Sequence, residues 1–470
     1  MNTKFLIAVT TCFFVSLSSS VYADEFLDAC LKIATARDLK INVAQEQIEL
    51  AQARVTSSIR SFFPQLMLQR RFSKGKTKFG VKSAEPGEEE YNSEEIGIRA
   101  VQPIYEGGGS TGGYKYNKLM MDASKYNYTK AKEELYTKVK LAYYEYLTLK
   151  VEYLALSKAF EQVERLYLKT QVEYKARAIS ELDLMESKNF RDKVSNLLNA
   201  SRINLEFATK KLVEIVGVYG LEDIPASVSA ELPTDVPEIS FTLQDCVSFV
   251  QTNNLDVKIA KIQIEMADTK IKINRAKVIP KLYLDGFYGR SGDAFTTVPL
   301  ELTTSWNVAA KLSWGLWGNS LNVSYSTDKT EPTTIVDASK RVETTTFDVQ
   351  LSILDDLQYF VDAKESSISK KQTISELIDI LKNSRLSVEK TYNEYLISLN
   401  NAKTLRQEIT LKERKLALMQ KRNDLYEVPT VSLMEESWQY AEAISSFTRA
   451  AYTNHASVTE LERLTLMSLR

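Results

Sequence analysis

The sequence has few of the residues that interrupt regular structure, and few of those that usually carry chemistry. Its 470 residues include only 16 Gly and 10 Pro. An all-β protein needs a turn about every 8–12 residues, so this scarcity predicts a chain that is mostly helical. A single His and three Cys leave little material for a metal centre or a catalytic nucleophile. We therefore expect no cofactor, no metal site and no enzymatic activity.

An excess of charge of either sign is also absent. The chain has 60 Lys and Arg against 61 Asp and Glu, which gives a formal net charge of −1. A protein without a basic surface has no electrostatic footprint for a phosphate backbone, so we expect no nucleic-acid partner. Apolar residues at 44% and charged residues at 26% are ordinary for a folded protein and exclude wholesale disorder.

Long hydrophobic runs are missing beyond the N-terminus. Residues 1–23 combine Lys4, a short apolar run and small residues ending at Ala23, which is the pattern of a secretory signal peptide cleaved after Ala23. No later segment holds about 18 consecutive apolar residues, the length typical of a spanning helix. If the mature chain enters a membrane, it should therefore do so without helices. Only Cys30 and Cys246 remain after cleavage, and we expect them to be buried thiols.

The sequence is duplicated. A shift of 216 positions (280 minus 64) superimposes Pro64 on Pro280 and aligns Phe26–Leu68 with Thr242–Leu284 without a gap. The identical pairs include Leu27/Leu243, Cys30/Cys246, Leu39/Leu255, Gln47/Gln263, Glu49/Glu265, Pro64/Pro280 and Leu68/Leu284. We predict two copies of one structural unit, at 24–217 and 242–470, joined by a linker at 218–241.

In both repeats a helical pattern ends at the proline and a period of two begins. Proline cannot donate to the helix ladder, and it moves the preceding residue out of the helical region. Alternating apolar residues then predict strands at 65–72 and 281–288. The alternation is clearest in Trp306–Leu316 and weaker in 96–105. The sequence thus predicts four strands, two in each repeat.

The remainder of each repeat should be long helix. Apolar residues spaced by alternating threes and fours from Leu135 to Tyr167 form a heptad seam. The helix that carries the seam can extend over 114–174, about 90 Å at 1.5 Å per residue. The segments 27–63 and 181–217 are each a little more than half as long, which favours two short helices stacked in line beside one long helix. The far ends of the hairpins are expected near 176–178 and 428–429.

Four strands are too few to close a barrel, which needs about eight, and an open sheet would leave its edges exposed. Several copies would therefore have to pool their strands. An apolar outer face, a polar inner face and aromatic residues at the rims are typical of an outer-membrane barrel. Trp306, Trp314 and Trp317 fall in one strand region, and Tyr105 ends another strand. Alternation alone fits a half-buried sheet in a soluble periplasmic domain equally well.

Several segments together resemble those of a known family. They are the ending of the first helix, Phe63-Pro64-Gln65-Leu66; the corner Gln102-Pro103-Ile104-Tyr105-Glu106-Gly107-Gly108; the hairpin segment Ser180–Ser187; and the repeats at Ile279–Leu282 and Leu312–Gly318. In the order, duplication and spacing of these segments, nearly the whole mature chain resembles the TolC-type outer-membrane efflux proteins.

The resemblance implies a mainly α fold with a membrane β domain. Three copies would form a homotrimer with one twelve-stranded barrel, four strands per protomer, continued by a long α-helical coiled-coil barrel. The implied function is that of a passive channel-tunnel for efflux or type I secretion, in the outer membrane with most of its mass in the periplasm. Family members dock onto a periplasmic adaptor and an inner-membrane pump of the RND, ABC or MFS class. These proteins and outer-membrane lipid are therefore the expected partners.

The resemblance also implies site residues. Acidic rings close the tunnel in the family, and the matching positions are Asp183, Glu186, Glu435 and Glu436, each of which three-fold symmetry would turn into a ring favouring cations. The alternative is that these carboxylates only offset helix dipoles and cap helix N-termini. The expected hairpin-tip contacts to an adaptor are Ala178, Leu184, Pro429 and Leu433. The expected membrane-interface aromatics are Tyr105, Trp306, Trp314 and Trp317.

Two features depart from the family pattern. Residues 319–350 are rich in Thr, Ser and Val where the second long helix should already have begun, which leaves an extra hairpin or an extended loop open. The second hairpin tip is shorter than the first, and Pro429 stands where Gly is usual.

A soluble periplasmic coiled-coil adaptor or scaffold is the competing function. Such a protein would need an inner-membrane anchor and a compact β-rich domain between its helices, and the sequence indicates neither.

Overall fold

The computed structural model describes residues 23–79, 87–217, 236–295, 299–330, 343–354, 357–425 and 427–469. The predicted signal peptide and most of the predicted linker lie outside these residues. The helices are α1 Ala23–Arg37, α2 Leu39–Arg60, α3 Gly109–Lys175, α4 Glu181–Val216, α5 Leu243–Asn253, α6 Leu255–Arg275, α7 Gln358–Asp424 and α8 Thr430–Thr465. The strands are β1 Gln65–Phe79, β2 Gly87–Tyr105, β3 Lys281–Phe295, β4 Thr303–Gly315, β5 Ser320–Thr330 and β6 Glu343–Ser352.

The chain forms two compact units. The first contains residues up to 45, 127–258 and 379–470, and the second contains 46–126 and 259–378. The described part of the first unit is helical, whereas the second holds the strands together with the adjoining ends of helices. No helix among the described residues is both long enough and apolar enough to cross a membrane.

The lengths of the helices repeat. The helices α3 and α7 each have 67 residues, about 100 Å, and α4 and α8 each have 36. In the first unit, α1, α3 and α4 enclose one apolar core around Cys30, Val139 and Leu212. The helices α5, α7 and α8 enclose a corresponding core around Cys246 and Val388. Each repeat therefore buries the same stripe of its opening helix.

Both cysteines are free and buried, as predicted. Burial in apolar surroundings disfavours a thiolate, and it raises the pKa of the Cys30 thiol to about 11. The pKa of Cys246 is raised for the same reason, with a further contribution from the nearby Asp245 carboxylate.

The segments expected as single opening helices are each divided by one polar residue. Asp38 separates α1 from α2, and its Oδ1 accepts hydrogen bonds from the N–H groups of Lys40 at 2.7 Å and Ile41 at 3.0 Å. Asn254, the same position of the second repeat, accepts from the N–H groups of Asp256 and Val257 in the same way. Asp and Asn start helices well because a side-chain oxygen satisfies N–H groups that the helix leaves unpaired. The break is therefore a repeated N-cap.

The strands form one six-stranded antiparallel sheet in the order β1-β2-β3-β4-β5-β6. The predicted fold class, mainly α with an antiparallel sheet, is confirmed. The expected number of four strands is wrong, because residues 319–350 contain the additional hairpin of β5 and β6 that the sequence had left open. All four predicted strands are present, and β1, β2 and β3 extend well beyond their predicted ends.

The additional hairpin exists because the chain turns back after β4. Trp317 and Gly318 both have positive φ angles, 46° and 94°, which suit a two-residue hairpin turn with the twist of its strands. The Leu316 N–H donates to the Asn319 carbonyl at 2.7 Å and closes the turn. The segment Leu312–Gly318, expected as a corner between a strand and a helix, is therefore a turn between two strands.

Candidate functional site: a two-faced sheet and two hairpin tips

One face of the sheet is largely apolar and open to the surroundings, although the pair Arg70 and Glu94, 2.8 Å apart, lies on the same side farther along β1 and β2. The register places Leu282, Leu312, Val323 and Val349 in one cross-strand row of β3 to β6. A second row joins Leu68, Ile98, Tyr288 and Trp306 of β1 to β4. The side chains of this face are exposed, for example Leu68 by 88% and Tyr288 by 67%. A soluble protein does not leave such a continuous apolar surface in water, whereas lipid would cover it.

Two tryptophans delimit this face on β4. Trp306 and Trp314 lie eight residues apart on the same side of the strand, about 26 Å at 3.3 Å per residue. On a strand tilted by about 35–45° this length crosses about 19–22 Å of the membrane, most of the apolar band of an outer-membrane barrel, which is about 25 Å tall. Trp314 donates from its indole Nε1 to the Val278 carbonyl at 3.2 Å. Tyr105 and Trp317 are exposed near the same end of the sheet, where β2 and β4 finish.

The opposite face of the sheet is polar. The guanidinium of Arg99 on β2 donates two hydrogen bonds to the Asp285 carboxylate on β3, from Nε at 2.9 Å and from Nη2 at 2.6 Å. The Lys311 ammonium on β4 donates to the same carboxylate at 2.6 Å. The Asp285 side chain is only 4% exposed, so two cations from neighbouring strands surround it. On the same face, Asn307 hydrogen-bonds to Asp328 of β5.

Glycine allows two strands to approach on this polar face. Gly97 of β2 pairs with Gly289 of β3. A Cβ at Gly289 would lie 2.3 Å from the Ile96 carbonyl oxygen and 2.6 Å from the Gly97 Cα. The ring of Phe287 would meet a Cβ at either glycine, at 2.7 or 2.8 Å. Only glycine fits at the pair, with an aromatic ring placed beside it.

The first helical hairpin, α3 to α4, turns through Arg177, which has a φ of 61°. A capping box then starts α4. The Asp183 N–H donates to the Ser180 hydroxyl at 3.2 Å, and the Asp183 carboxylate accepts from the Ser180 N–H at 3.0 Å and from its hydroxyl at 2.7 Å. These hydrogen bonds favour the ionised form and lower the pKa of Asp183 below its ordinary value.

The second hairpin, α7 to α8, is held by Asn423. Its amide nitrogen donates to the Val428 carbonyl at 3.0 Å, and its Oδ1 accepts from the Lys169 ammonium of the first hairpin at 2.8 Å. Pro429 occupies the N-cap position of α8 and makes no side-chain capping hydrogen bond. Thr430 donates from its hydroxyl to the Glu173 carboxylate at 3.5 Å. The short second tip is therefore tied to the first by polar contacts.

The four expected gate carboxylates lie in different environments. Glu186 and Glu435 are exposed, whereas Asp183 forms the capping box. Glu436 is only 3% exposed, and its carboxylate lies 2.6 Å from the Lys415 ammonium and 3.9 Å from that of Lys412. Of the four expected adaptor contacts, Ala178 and Pro429 are exposed, Leu184 is half-buried and Leu433 is buried.

The sequence reasoning missed the charged groups that join separate helices and strands. Arg449 of α8 donates from Nη2 at 2.5 Å and from Nε at 3.2 Å to the Glu152 carboxylate of α3, which is 8% exposed. Asp285 and Lys311 could have been noticed as charged residues in otherwise uncharged stretches of alternating sequence. The partners of Glu152 and Glu436 had no comparable signal, because they come from distant parts of the chain.

The comparison with protein families matches residues 30–217 to a family described as outer membrane efflux protein. The first repeat therefore resembles this family over nearly its whole length. The match ends at Gly217, the last residue of the predicted first repeat. A comparison with curated proteins found no match.

The fold is that of solved outer-membrane channels. The CmeC outer membrane channel of Campylobacter jejuni has a TM-score of 0.66 at 14% identity, over 97% of this chain and 91% of its own. The outer membrane protein VceC of Vibrio cholerae has a TM-score of 0.68 at 11% identity, over 94% and 97%. The MtrE outer membrane channel of Neisseria gonorrhoeae, solved in an open state, has 0.67 at 14% identity, over 94% and 89%.

The resemblance predicted from the sequence is therefore confirmed. The family match and the fold support an outer-membrane efflux channel, and with it the predicted location in the outer membrane. The CmeC and MtrE proteins, which share this fold, are outer membrane channels.

Proposed function

We propose that three copies of this efflux protein assemble into one channel that passes solutes out of the cell, driven by an inner-membrane pump to which a periplasmic adaptor connects it. The observation that carries the proposal is the sheet, which exposes a continuous apolar face on one side and a charged face on the other. Among the residues that the structure describes, no further strand pairs with either edge of the sheet, β1 or β6. When several copies join in lipid around a polar lumen, the neighbouring copy pairs with the strand edge and the lipid covers the apolar face.

Fractionation tests the proposal. The protein should enter the outer-membrane fraction as an oligomer that resists mild detergent. Recovery as a soluble periplasmic species would favour the adaptor or scaffold function instead. Deletion of the gene, followed by profiling of drug sensitivity and of secreted proteins, would distinguish efflux from type I secretion. The pump class, RND, ABC or MFS, would follow from which inner-membrane proteins co-purify.

The proposed gate consists of the exposed carboxylates at the hairpins. Glu435 and Glu186 are free to face a lumen, and three-fold symmetry would make each a ring of three charges that favours cations. Asp183 and Glu436 would contribute indirectly, since the first caps α4 and the second is covered by two lysines. Ala178 and Pro429 are the proposed adaptor contacts on the surface, with Leu184 and Leu433 supporting them from beneath.

Single-channel recording tests the gate. Glu435→Gln should reduce cation selectivity and weaken block by polycations, because one ring of charge is lost. Unchanged selectivity and block would remove Glu435 from the gate. Tyr105, Trp306, Trp314 and Trp317 are the proposed membrane-interface residues, and replacing any of them by Ala should slow assembly in the membrane without altering selectivity.

A further inference from the structure

We infer that all six strands of each protomer form part of the membrane wall, so that the trimer closes an eighteen-stranded barrel through a seam between β6 of one copy and β1 of the next. The inference rests on the proposed trimeric channel and differs from the twelve strands that the family resemblance implies. It follows from the pairing of β5 and β6, their apolar residues, and the charges on the two edges.

The edge of β4 is not free to join a neighbouring copy. The strand pairs with β5 from Ser305↔Thr330 to Gly315↔Ser320 without a register shift. That ladder is as long as the one between β4 and β3, from Lys281↔Ser313 to Ser291↔Thr303. The strand β5 pairs in turn with β6 along its length. A barrel of four strands per copy would have to break the β4–β5 ladder, and the edge of β5 would lose its hydrogen-bonding partners.

The additional hairpin continues the apolar face. Leu321, Val323 and Tyr325 of β5 lie opposite Leu351, Val349 and Phe347 of β6. On this face of β6, the side chains of Leu351 and Phe347 are 58% and 67% exposed. The intervening residues on the other side of both strands are polar, among them Asn322, Ser324, Asp348 and Gln350. A hairpin that lay in water outside the membrane wall would not need its apolar side chains on the same face as those of β4.

The two unpaired edges complement each other. Strand β1 carries Arg70, Arg71, Lys74 and Lys76 and no acidic residue, whereas β6 carries Glu343 and Asp348 and no basic residue. The strands β1 and β6 run in opposite directions, because four strands lie between them and each neighbouring pair in the sheet is antiparallel. The edges of two copies can therefore pair antiparallel, and Glu343 of β6 can then approach the basic side of β1, where Lys74 also contacts Glu90 of β2 at 2.8 Å.

The register of the seam follows if the end of β6, at Ser352, lies level with the start of β1, at Gln65. If Ser352 of one copy lies opposite Gln65 of the next, Leu351 meets Leu66 and Val349 meets Leu68, so the apolar residues stay on one face. The same register brings Glu343 opposite Lys74. A slip by one residue would turn the apolar side chains of one strand to the polar face, so only slips by two residues compete.

The geometry of this register suits a membrane barrel. Within one copy, the row of paired residues that begins at Leu66 of β1 ends at Thr345 of β6. The seam places this Thr345 opposite Phe72 of the next copy, which is six residues beyond Leu66. The offset of six residues over six strands, at about 3.3 Å per residue and 4.8 Å per strand, gives a tilt of about 35°. Membrane barrels have tilts of about 35–45°. At this tilt of about 35°, eighteen strands enclose a backbone diameter of about 34 Å, against about 23 Å for twelve.

Disulfide trapping tests the seam. Val349→Cys would be combined in turn with Leu66→Cys, Leu68→Cys and Arg70→Cys, and the chains oxidised in outer-membrane vesicles. Opposed cysteines across antiparallel strands lie within disulfide distance. We expect covalent dimers and trimers that disappear on reduction, strongest for Val349→Cys with Leu68→Cys. The native Cys30 and Cys246 are buried, so they should not contribute.

A matched control separates the two barrels. Leu312→Cys on β4 lies in the same cross-strand row as Val349, so in a twelve-stranded barrel it would take the place of Val349 opposite β1. It would be combined with the same three β1 cysteines. Cross-linking through Leu312→Cys and not Val349→Cys would overturn the inference while leaving the channel intact.

A count of strands by cryo-electron microscopy of the trimer in nanodiscs completes the test. Eighteen strands would support the inference, and twelve strands would overturn it even if no cysteine pair formed a disulfide. A protein that is monomeric or absent from the outer membrane would instead contradict the proposed function, which distinguishes the two failures.

Discussion

Asp285 is the shared acceptor of Arg99 and Lys311, three residues that belong to three successive strands of the sheet. One carboxylate therefore connects the central strands on the face that we assign to the lumen. Replacement by Asn would leave two cations on that face without a counter-charge.

Asp285→Asn should lower the free energy of unfolding by roughly 1–3 kcal/mol, the cost of leaving charged hydrogen-bonding groups unsatisfied. The temperature at which the oligomer dissociates on a gel would measure the loss. Glu301→Gln provides the control, since Glu301 is exposed just before β4 and its replacement should leave that temperature unchanged. Equal effects of the two variants would show that the cluster does not stabilise the sheet.

The glycine pair gives a steric prediction. Gly289→Ala should lower the free energy of unfolding of the sheet by about 1–3 kcal/mol and so reduce assembly. The reason is that its Cβ would lie 2.3 Å from a backbone oxygen of the neighbouring strand. Gly286→Ala, three residues away, should be tolerated, since its Cβ would meet the nearest atom at 3.9 Å. The yield of detergent-resistant oligomer would compare them, and equal yields would contradict the close approach of β2 and β3.

Adjacent glutamates of α8 should respond differently to the same change. Glu436→Gln removes the counter-charge of Lys412 and Lys415 in a buried position and should destabilise the helical unit by about 1–3 kcal/mol. Glu435→Gln changes an exposed carboxylate and should leave stability nearly unchanged. Thermal unfolding followed by circular dichroism would measure both. A larger loss for Glu435→Gln would contradict the burial that we describe.

The capping box of α4 should make stability depend on pH in one direction. The pKa of Asp183 is lowered in the folded protein, so the ionised carboxylate stabilises the fold above the ordinary pKa of Asp, about 3.9. This stabilisation is lost as the pH falls through the lowered pKa, because the carboxylate then takes up a proton. The difference in melting temperature between wild type and Asp183→Asn should thus be present at pH 7 and vanish in strong acid. A difference that grows on acidification would contradict the capping role.

The buried thiols should be inert in the folded protein. With its pKa raised to about 11, Cys30 has almost no thiolate at pH 8, and Cys246 is buried at the equivalent position. Neither should react with a maleimide until the protein is denatured. Ala178→Cys, at the exposed first tip, should react within minutes under the same conditions and serves as the positive control. Mass spectrometry would count the labels, and rapid labelling of native Cys30 would contradict the core.

The sequence predicted those elements whose cause is local. Pro64 and Pro280 end helices because proline has no N–H group to donate to the helix. The alternation in Trp306–Leu316 reflects the different environments on the two sides of β4. The break at Asp38 was missed because a single capping residue leaves the spacing of apolar residues almost unchanged. The turn at Trp317 and Gly318 was misread because a strand can lead from such a corner into a helix or into another strand.

The charged contacts were harder to predict for a different reason. Glu436 and Glu435 are neighbours in sequence and look alike, and only the packing of α8 against α7 buries the first beside Lys412 and Lys415. Such pairing depends on residues far along the chain, so no local pattern identifies it. The same holds for Glu152 and Arg449.

The most direct test of the account is the environment of alternate residues along β4. Single cysteines at 306, 308, 310, 312 and 314, and at 307, 309, 311 and 313, would be treated in intact outer-membrane vesicles with a lipid-soluble and a water-soluble thiol reagent. We predict that cysteines at 308, 310 and 312 react with the lipid-soluble reagent alone, that those at the interface positions 306 and 314 react with both reagents, and that Lys311→Cys and Asn307→Cys react with the water-soluble one. Equal reaction of both sets with the water-soluble reagent would show a sheet surrounded by water and would contradict the membrane channel.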